Sequence, residues 1–230
     1  MFTDEKIVKP ARKFFPEDLN VESFEEVKSI MDGLLKKEIN SEEEIIAFLK
    51  EITEIDNILN ETMAWKYINM TRFTDKKEYT EDFNNFYSKV ISPLSKVDFE
   101  MKQKIYTNES FKKLPSSFDL MKDLVSVDIE LFREENIPLH VKENDLNTKY
   151  AEIMSGLTVN FKGEEKTLSQ MGTFLKDPDR SVREEAFRLT GEKVIEVKKE
   201  LNDLFDEMMK NRNEIAKNTG FDNYRDYMHR

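Results

Sequence analysis

From Val182 to Ala216 apolar side chains return mostly at steps of three and four: Val182, Ala186, Leu189, Val194, Val197, Leu201, Leu204, Phe205, Met208, Ile215 and Ala216. That period lines one broad face of an α-helix and cannot be laid on a strand, where faces alternate every second residue. The spacing predicts a single long helix over about 179–218. Pro178 suits its first turn, because proline has no N–H to leave unpaired there, and Ser181 with Glu184 offers a second start as a capping box. Gly220 is the first natural stop, since glycine adopts a left-handed cap without steric cost. At 1.5 Å per residue such a helix would run about 60 Å, so it must span its domain or bend, and Gly191 is the expected bend. A helix this long with one apolar face needs other elements to cover that face.

The rest of the chain supplies them. Six prolines and six glycines punctuate 230 residues. Residues 1–21, with Pro10 and Pro16, read as an irregular lead-in, and 22–230 as one helical region without a Gly/Ser-rich linker. Ser23 with Glu26 and Ser41 with Glu44 are capping boxes, opening helices at about 23–38 and from 41 to about 70. Asp75 opens a third helix, carrying Tyr79, Phe83, Phe86 and Val90, which Pro93 is expected to end. One or two short helices follow through Val97, Met101, Ile105, Phe111 and Leu114. Ser117 is read as the cap of a further helix with Leu120, Leu124, Val127 and Leu131 in register. Pro138 is expected to break the chain again, leaving His140 in a loop and a shorter helix marked by Leu146, Tyr150 and Ile153.

At 157–168 the period changes to two. Leu157, Val159 and Phe161 alternate with polar residues, and Lys162-Gly163 can turn. This predicts a β-hairpin whose apolar side faces helices, because a lone hairpin is barely stable in water. Asp222 is expected to begin a last short helix. The fold class read from the residues is therefore mainly α: a multi-helix assembly with one small hairpin.

Composition excludes several functions. The 47 acidic against 36 basic residues give a net charge of −11, which repels phosphate backbones and argues against nucleic-acid partners. Without cysteine there are no disulfides, cysteine nucleophiles or thiolate metal sites. The first fifteen residues lack the apolar core of a signal peptide, and no run approaches a bilayer span, so a soluble cytoplasmic protein without membrane partners is the expectation. No G-x-S-x-G nucleophile elbow occurs, and most serines stand where helices begin. The two histidines, His140 and His229, have no spacing that pairs them on a metal, and no acidic loop with a glycine at its turn suggests calcium. No catalytic residue and no metal ligand is assigned.

Two phrases carry a resemblance. IMSGLTVNFKGEEKTLSQMGTFLKDPDRSVREEAFR and NEIAKNTGFDNYRDY are similar to segments in the helical N-terminal half of the oligoendopeptidase F family of zinc metallopeptidases, within the thimet-oligopeptidase-like clan. The likeness is clearest over 150–227. It implies helices walling a deep channel that admits short unfolded peptides. It also implies a zinc ion held by an H-E-x-x-H helix and a further glutamate, a motif absent from this sequence and expected in a region following Arg230. The chain alone is then expected to be inactive, a non-catalytic part of a peptide-hydrolysing enzyme. The alternative is a stand-alone helical module that binds peptides or a partner protein. The Asp-Pro and Val182-Arg183 pattern also resembles the start of a HEAT-type helix, but a solenoid needs several such units. The sharpest motif is the corner Gly220, Phe221, Tyr224 and Tyr227, read as a helix cap and a second helix pinned by aromatic rings. The resemblance implies a place for it near the cleft.

Overall fold

A computed structural model of the chain describes residues 11–230. The first ten residues of the expected lead-in lie outside this range. The described residues pack into two compact units, one of residues 11–73 with Glu78–Phe132, the other of Thr74–Lys77 with Arg133–Arg230.

In the first unit α1 (Phe24–Leu35) and α2 (Glu42–Arg72) begin where the sequence places them. The Ser23 and Ser41 hydroxyls accept from the N–H groups of Glu26 and Glu44 at 3.3 and 3.2 Å. These bonds satisfy donors that a helix start would otherwise leave open. Val27, Met31 and Leu34 of α1 and Ile45, Phe48, Ile52 and Ile55 of α2 enter one core.

Pro93 does not end the third helix. α3 (Lys77–Phe86) runs through a wide turn at Tyr87–Ile91 into α4 (Ser92–Thr107), with Pro93 in the first turn of the latter. The Ser92 N–H bonds the Tyr87 carbonyl, five residues back instead of four. That extra residue loosens the ladder where proline contributes no N–H and its ring would crowd the preceding turn. The stripe then continues through Val90, Leu94, Val97, Met101 and Ile105, all buried. A short α5 (Glu109–Lys112) brings in Phe111, and Leu114 closes the core.

The next helix, α6 (Asp119–Leu131), follows a 3-10 turn at Ser116–Phe118, so Ser117 does not cap it. None of its residues is fully buried, and Leu120 and Leu124 are 72% and 56% exposed. The apolar register is present, but part of it faces outward.

In the second unit Pro138 starts a helix rather than breaking one. It sits in the first turn of α7 (Ile137–Ser155), where its missing N–H costs nothing, and this places His140 on a helix, not in a loop. The hairpin forms as expected, with β1 (Thr158–Phe161) antiparallel to β2 (Glu164–Thr167) and Phe161 opposite Glu164. Lys162 and Gly163 have φ of 54° and 81°, the left-handed pair that matches the twist of a two-residue hairpin. Leu157, Val159 and Phe161 are buried. After α8 (Leu168–Met171), Met171 joins Val159, Phe161 and Ala186 in a small core.

The long helix at 179–218 is realised as α9 (Arg180–Glu196) and α10 (Lys198–Asn218), interrupted at Val197, where ψ is 6°. Gly191 continues α9 without a break. Asp179 is the N-cap, taking the Ser181 N–H at 2.8 Å, so Ser181 lies inside the first turn. The interruption has a packing logic. Ala186 of α9, with Val182 and Leu189, serves the hairpin core, while Leu204 and Met208 of α10 pack with Leu146 and Ile153 of α7. Two faces turned to two partners need not share one register. α11 (Tyr224–Met228) ends the unit, close to the start expected at Asp222.

Candidate functional site

The corner after α10 is built by hydrogen bonds that the sequence dictates. Gly220 has φ of 86°, open only to glycine at low cost. This lets the Phe221 N–H reach the Ala216 carbonyl at 2.9 Å and the Gly220 N–H reach that of Lys217 at 3.0 Å, the paired bonds of a Schellman cap. Asn223 then caps α11, its side-chain oxygen accepting from the Asp226 N–H at 2.9 Å. The residues singled out from the sequence come together here. The ring centroids of Phe221 and Tyr227 are 6.0 Å apart, edge to face, and those of Tyr224 and Tyr227 are 5.6 Å apart.

Beneath the rings lies a polar joint that sequence reasoning missed. The Arg212 guanidinium stands 5.7 Å from the Tyr224 ring centroid and donates to the Glu143 carboxylate at 2.8 Å from Nε and 2.6 Å from its terminal nitrogen. The Asn211 amide donates to the Leu139 carbonyl at 3.0 Å and to Glu143 at 3.2 Å. A second pair sits nearby: Asn136 donates to the Ile215 carbonyl at 3.1 Å and accepts from Asn218 at 2.8 Å. Asn136 and Asn211 are each only 2% exposed. The register holds a signal for this joint, because Asn211 occupies the slot between Met208 and Ile215 on the apolar stripe. A polar residue there is buried and must find partners. The Asn211 side-chain oxygen has no hydrogen-bond partner among the described residues.

The electrostatics favour a joint over a reactive centre. Glu143 is engaged through both oxygens, which leaves it poorly placed to take a substrate proton. Burial, joined by the Glu143 charge and opposed by Arg212, holds the Tyr224 phenol above its ordinary range, so it stays protonated. Burial pushes His140 down, against the pull of Glu143, and favours the neutral ring. His229 follows α11. Among the described residues no group of three or more His, Cys, Asp or Glu side chains converges as a metal site requires.

The first unit carries a separate open groove of about 940 Å³ along α2, lined by Phe14, Ile46, Ala47, Lys50 and Ile58 among others. One rim is the segment at residues 11–14. The Glu54 carboxylate takes the N–H groups of Lys13, Phe14 and Phe15 at 2.9, 2.8 and 2.9 Å, gripping three consecutive amides as an anion sits in a backbone nest. Desolvation works against the Glu54 charge, but those three bonds and the Arg12 charge outweigh it and hold its pKa below the usual glutamate value.

No protein-family model matches the sequence, and no curated protein does. Solved structures match it closely in shape. A PZ peptidase A with an inhibitor superposes with a TM-score of 0.83 over 94% of this chain and 39% of its own, at 21% identity. Two proteins described as oligoendopeptidase F give the same TM-score of 0.83 over 94% of this chain. One is 20% identical and matched over 39% of its length; the other, from Bacillus anthracis strain Ames, is 23% identical and matched over 41%. The fold is that of part of an oligoendopeptidase F. The resemblance read from the two sequence phrases therefore holds at the level of fold, and the chain spans about two fifths of the length of the structures it matches. No helix among the described residues is long and apolar enough to cross a membrane.

Proposed function

We propose that this chain is the N-terminal, non-catalytic channel wall of a zinc-dependent oligoendopeptidase that hydrolyses short unfolded peptides in the cytoplasm. The observation that carries the reading is the fold likeness over 94% of the chain to an oligoendopeptidase F and to a PZ peptidase A with an inhibitor. The sequence phrases at 153–188 and 213–227 support it independently. The side chains do not suit zinc. His140 lies near the start of α7, beside a Glu143 already tied to Arg212, and His229 follows the last helix. The metal and its catalytic base therefore belong, on this reading, to a part of the enzyme other than these residues, and the helices here would shape the peptide's path.

The test is hydrolysis of a quenched fluorescent peptide by the purified chain, with bound zinc measured by elemental analysis. The expected result is no turnover above the blank and no stoichiometric zinc. Chelator-sensitive turnover by the chain itself would overturn the proposal. The groove along α2 favours one other reading, a stand-alone module that binds peptides or a partner protein. That reading predicts saturable binding of a labelled extended peptide, lost when Ile46→Glu intrudes on the groove. Unsaturable binding, or binding indifferent to the substitution, would remove it.

A further inference from the structure

Four hydrogen bonds tie residues 13–15 to α2, and all four end on one carboxylate. Glu54 takes the Lys13 N–H on both oxygens, at 3.1 and 2.9 Å, and the Phe14 and Phe15 N–H groups on one of them, at 2.8 and 2.9 Å. Its neighbour Ile55 is fully buried, so the carboxylate stands on a fixed post. The segment keeps its own shape by bonds that do not involve α2. The Arg12 N–H donates to the Glu17 carboxylate at 2.7 Å, the Arg12 guanidinium to the Pro16 carbonyl at 2.6 Å, and the Leu19 N–H to that same carbonyl at 3.1 Å. Packing moors its far end: Phe15 and Leu19 lie partly buried against the first core, and Val21 is 2% exposed. Towards its start, Ala11 and Lys13 are exposed and Phe14 is 41% exposed. The seated position also carries a cost. The Arg12 Nε lies buried with no hydrogen-bond partner among the described residues, and a buried donor left unpaired is unfavourable.

We propose that residues 11–14 are a strap latched to α2 by Glu54, a removable wall of the groove that lifts as one piece about Phe15 when the carboxylate lets go. Ala11, Arg12, Lys13 and Phe14 line one side of the groove, and Ile46, Ala47, Lys50 and Ile58 of α2 line the other. Seated, the strap bounds a groove of about 940 Å³; lifted, it leaves the α2 side as an open face. Three N–H groups converge on one side chain, as on an anion in a backbone nest, so their bonds are made and lost together. Opening also frees the buried Arg12 Nε to meet water. The strap is therefore held by one strong contact against a standing cost, which is how a segment comes to open locally while the core beneath it stays folded.

The experiment reads amide hydrogen exchange by NMR in the whole chain, and tryptic cleavage after Arg12 and Lys13 by mass spectrometry, for the wild type, Glu54→Gln and Glu54→Ala. In the wild type the Lys13, Phe14 and Phe15 amides should share one degree of protection, lower than that of Ile55 and Ile58 in α2. Glu54→Ala should speed the three together by about tenfold or more, the scale of losing hydrogen bonds to a charged acceptor, and leave Ile55 and Ile58 slow. Cleavage after Arg12 and Lys13 should quicken in step. Glu54→Gln keeps an acceptor of the same shape without the charge and should fall between the two. Exchange of the three amides that is unchanged in Glu54→Ala, or changed by unequal factors, overturns the latch, as does cleavage no faster than in the wild type. Equal acceleration at Ile55 and Ile58 overturns it too, because the segment would then be part of the core. Should Glu54→Ala fail to fold, the wild-type pattern and its response to Glu54→Gln decide the matter.

Discussion

Glu143 and Gly220 show how much of the second unit rests on single side chains. Glu143 is 14% exposed at its side chain and holds both Arg212 and the buried Asn211 amide. Truncating it leaves a guanidinium and an amide without their acceptor in a partly dry site, which typically costs more than the pair itself contributed. Glu143→Ala should therefore destabilise the unit by on the order of 3 kcal/mol, read by chemical denaturation. It should also loosen Tyr224, visible as a changed tyrosine emission. A loss below the error of the measurement would show that the joint is incidental. Gly220→Ala probes a different cause. No atom would meet the added Cβ within 4 Å, so any loss comes from the backbone at φ 86°, about 1–2 kcal/mol for an L-residue held left-handed. Gly220→Asn should recover part of it, because asparagine tolerates that region better. Equal stability of the alanine and glycine proteins would contradict the cap described here.

Elements whose ends are set by local bonds are legible in the sequence; those whose ends are set by distant packing are not. Ser23, Ser41, Lys162-Gly163 and Gly220 each act through atoms within a few residues, and all of them stand where the sequence puts them. Pro93 and Pro138 look like stops in the sequence, although proline is equally at home in a first turn, and only the wide turn at Tyr87–Ile91 and the start at Ile137 decide between the two. The interruption at Val197 is invisible in the spacing because it follows from α9 and α10 answering to different cores. At the candidate site the aromatic corner is legible as a motif. Glu143 is not, since one acid among 47 carries no mark of its partner. Gly191 makes the point testable. Its residue type suggests a bend, yet it lies inside α9, and a methyl group added there would meet nothing within 4 Å. Gly191→Ala should thus raise stability by about 0.5–1 kcal/mol, the ordinary gain of alanine over glycine in a helix. A loss of stability would return the hinge to Gly191.

At the scale of the whole molecule, what stays uncovered bears on function. Each unit has its own core, yet large apolar side chains stand in water outside it: Phe187 at 72% and Ile195 at 68% on α9, Leu120 and Leu124 on α6, Trp65 on α2. Scattered apolar residues are ordinary on a surface. Phe187, Gly191 and Ile195, however, lie four residues apart on one side of a single helix, and nothing among the described residues of that unit covers them. On the channel-wall reading such a row is where the rest of an oligoendopeptidase would pack; on the stand-alone reading it should be inert to solvent probes. The chain as isolated should then bind a hydrophobic dye and self-associate as concentration rises, its net charge of −11 limiting the association at low salt more than at high. Phe187→Ser with Ile195→Ser should reduce both signals and leave stability within about 0.5 kcal/mol of wild type, because exposed side chains contribute little to folding. If dye binding and association were unchanged in the double variant while stability fell, the row would belong to the fold itself and the case for a further neighbour on α9 would be lost.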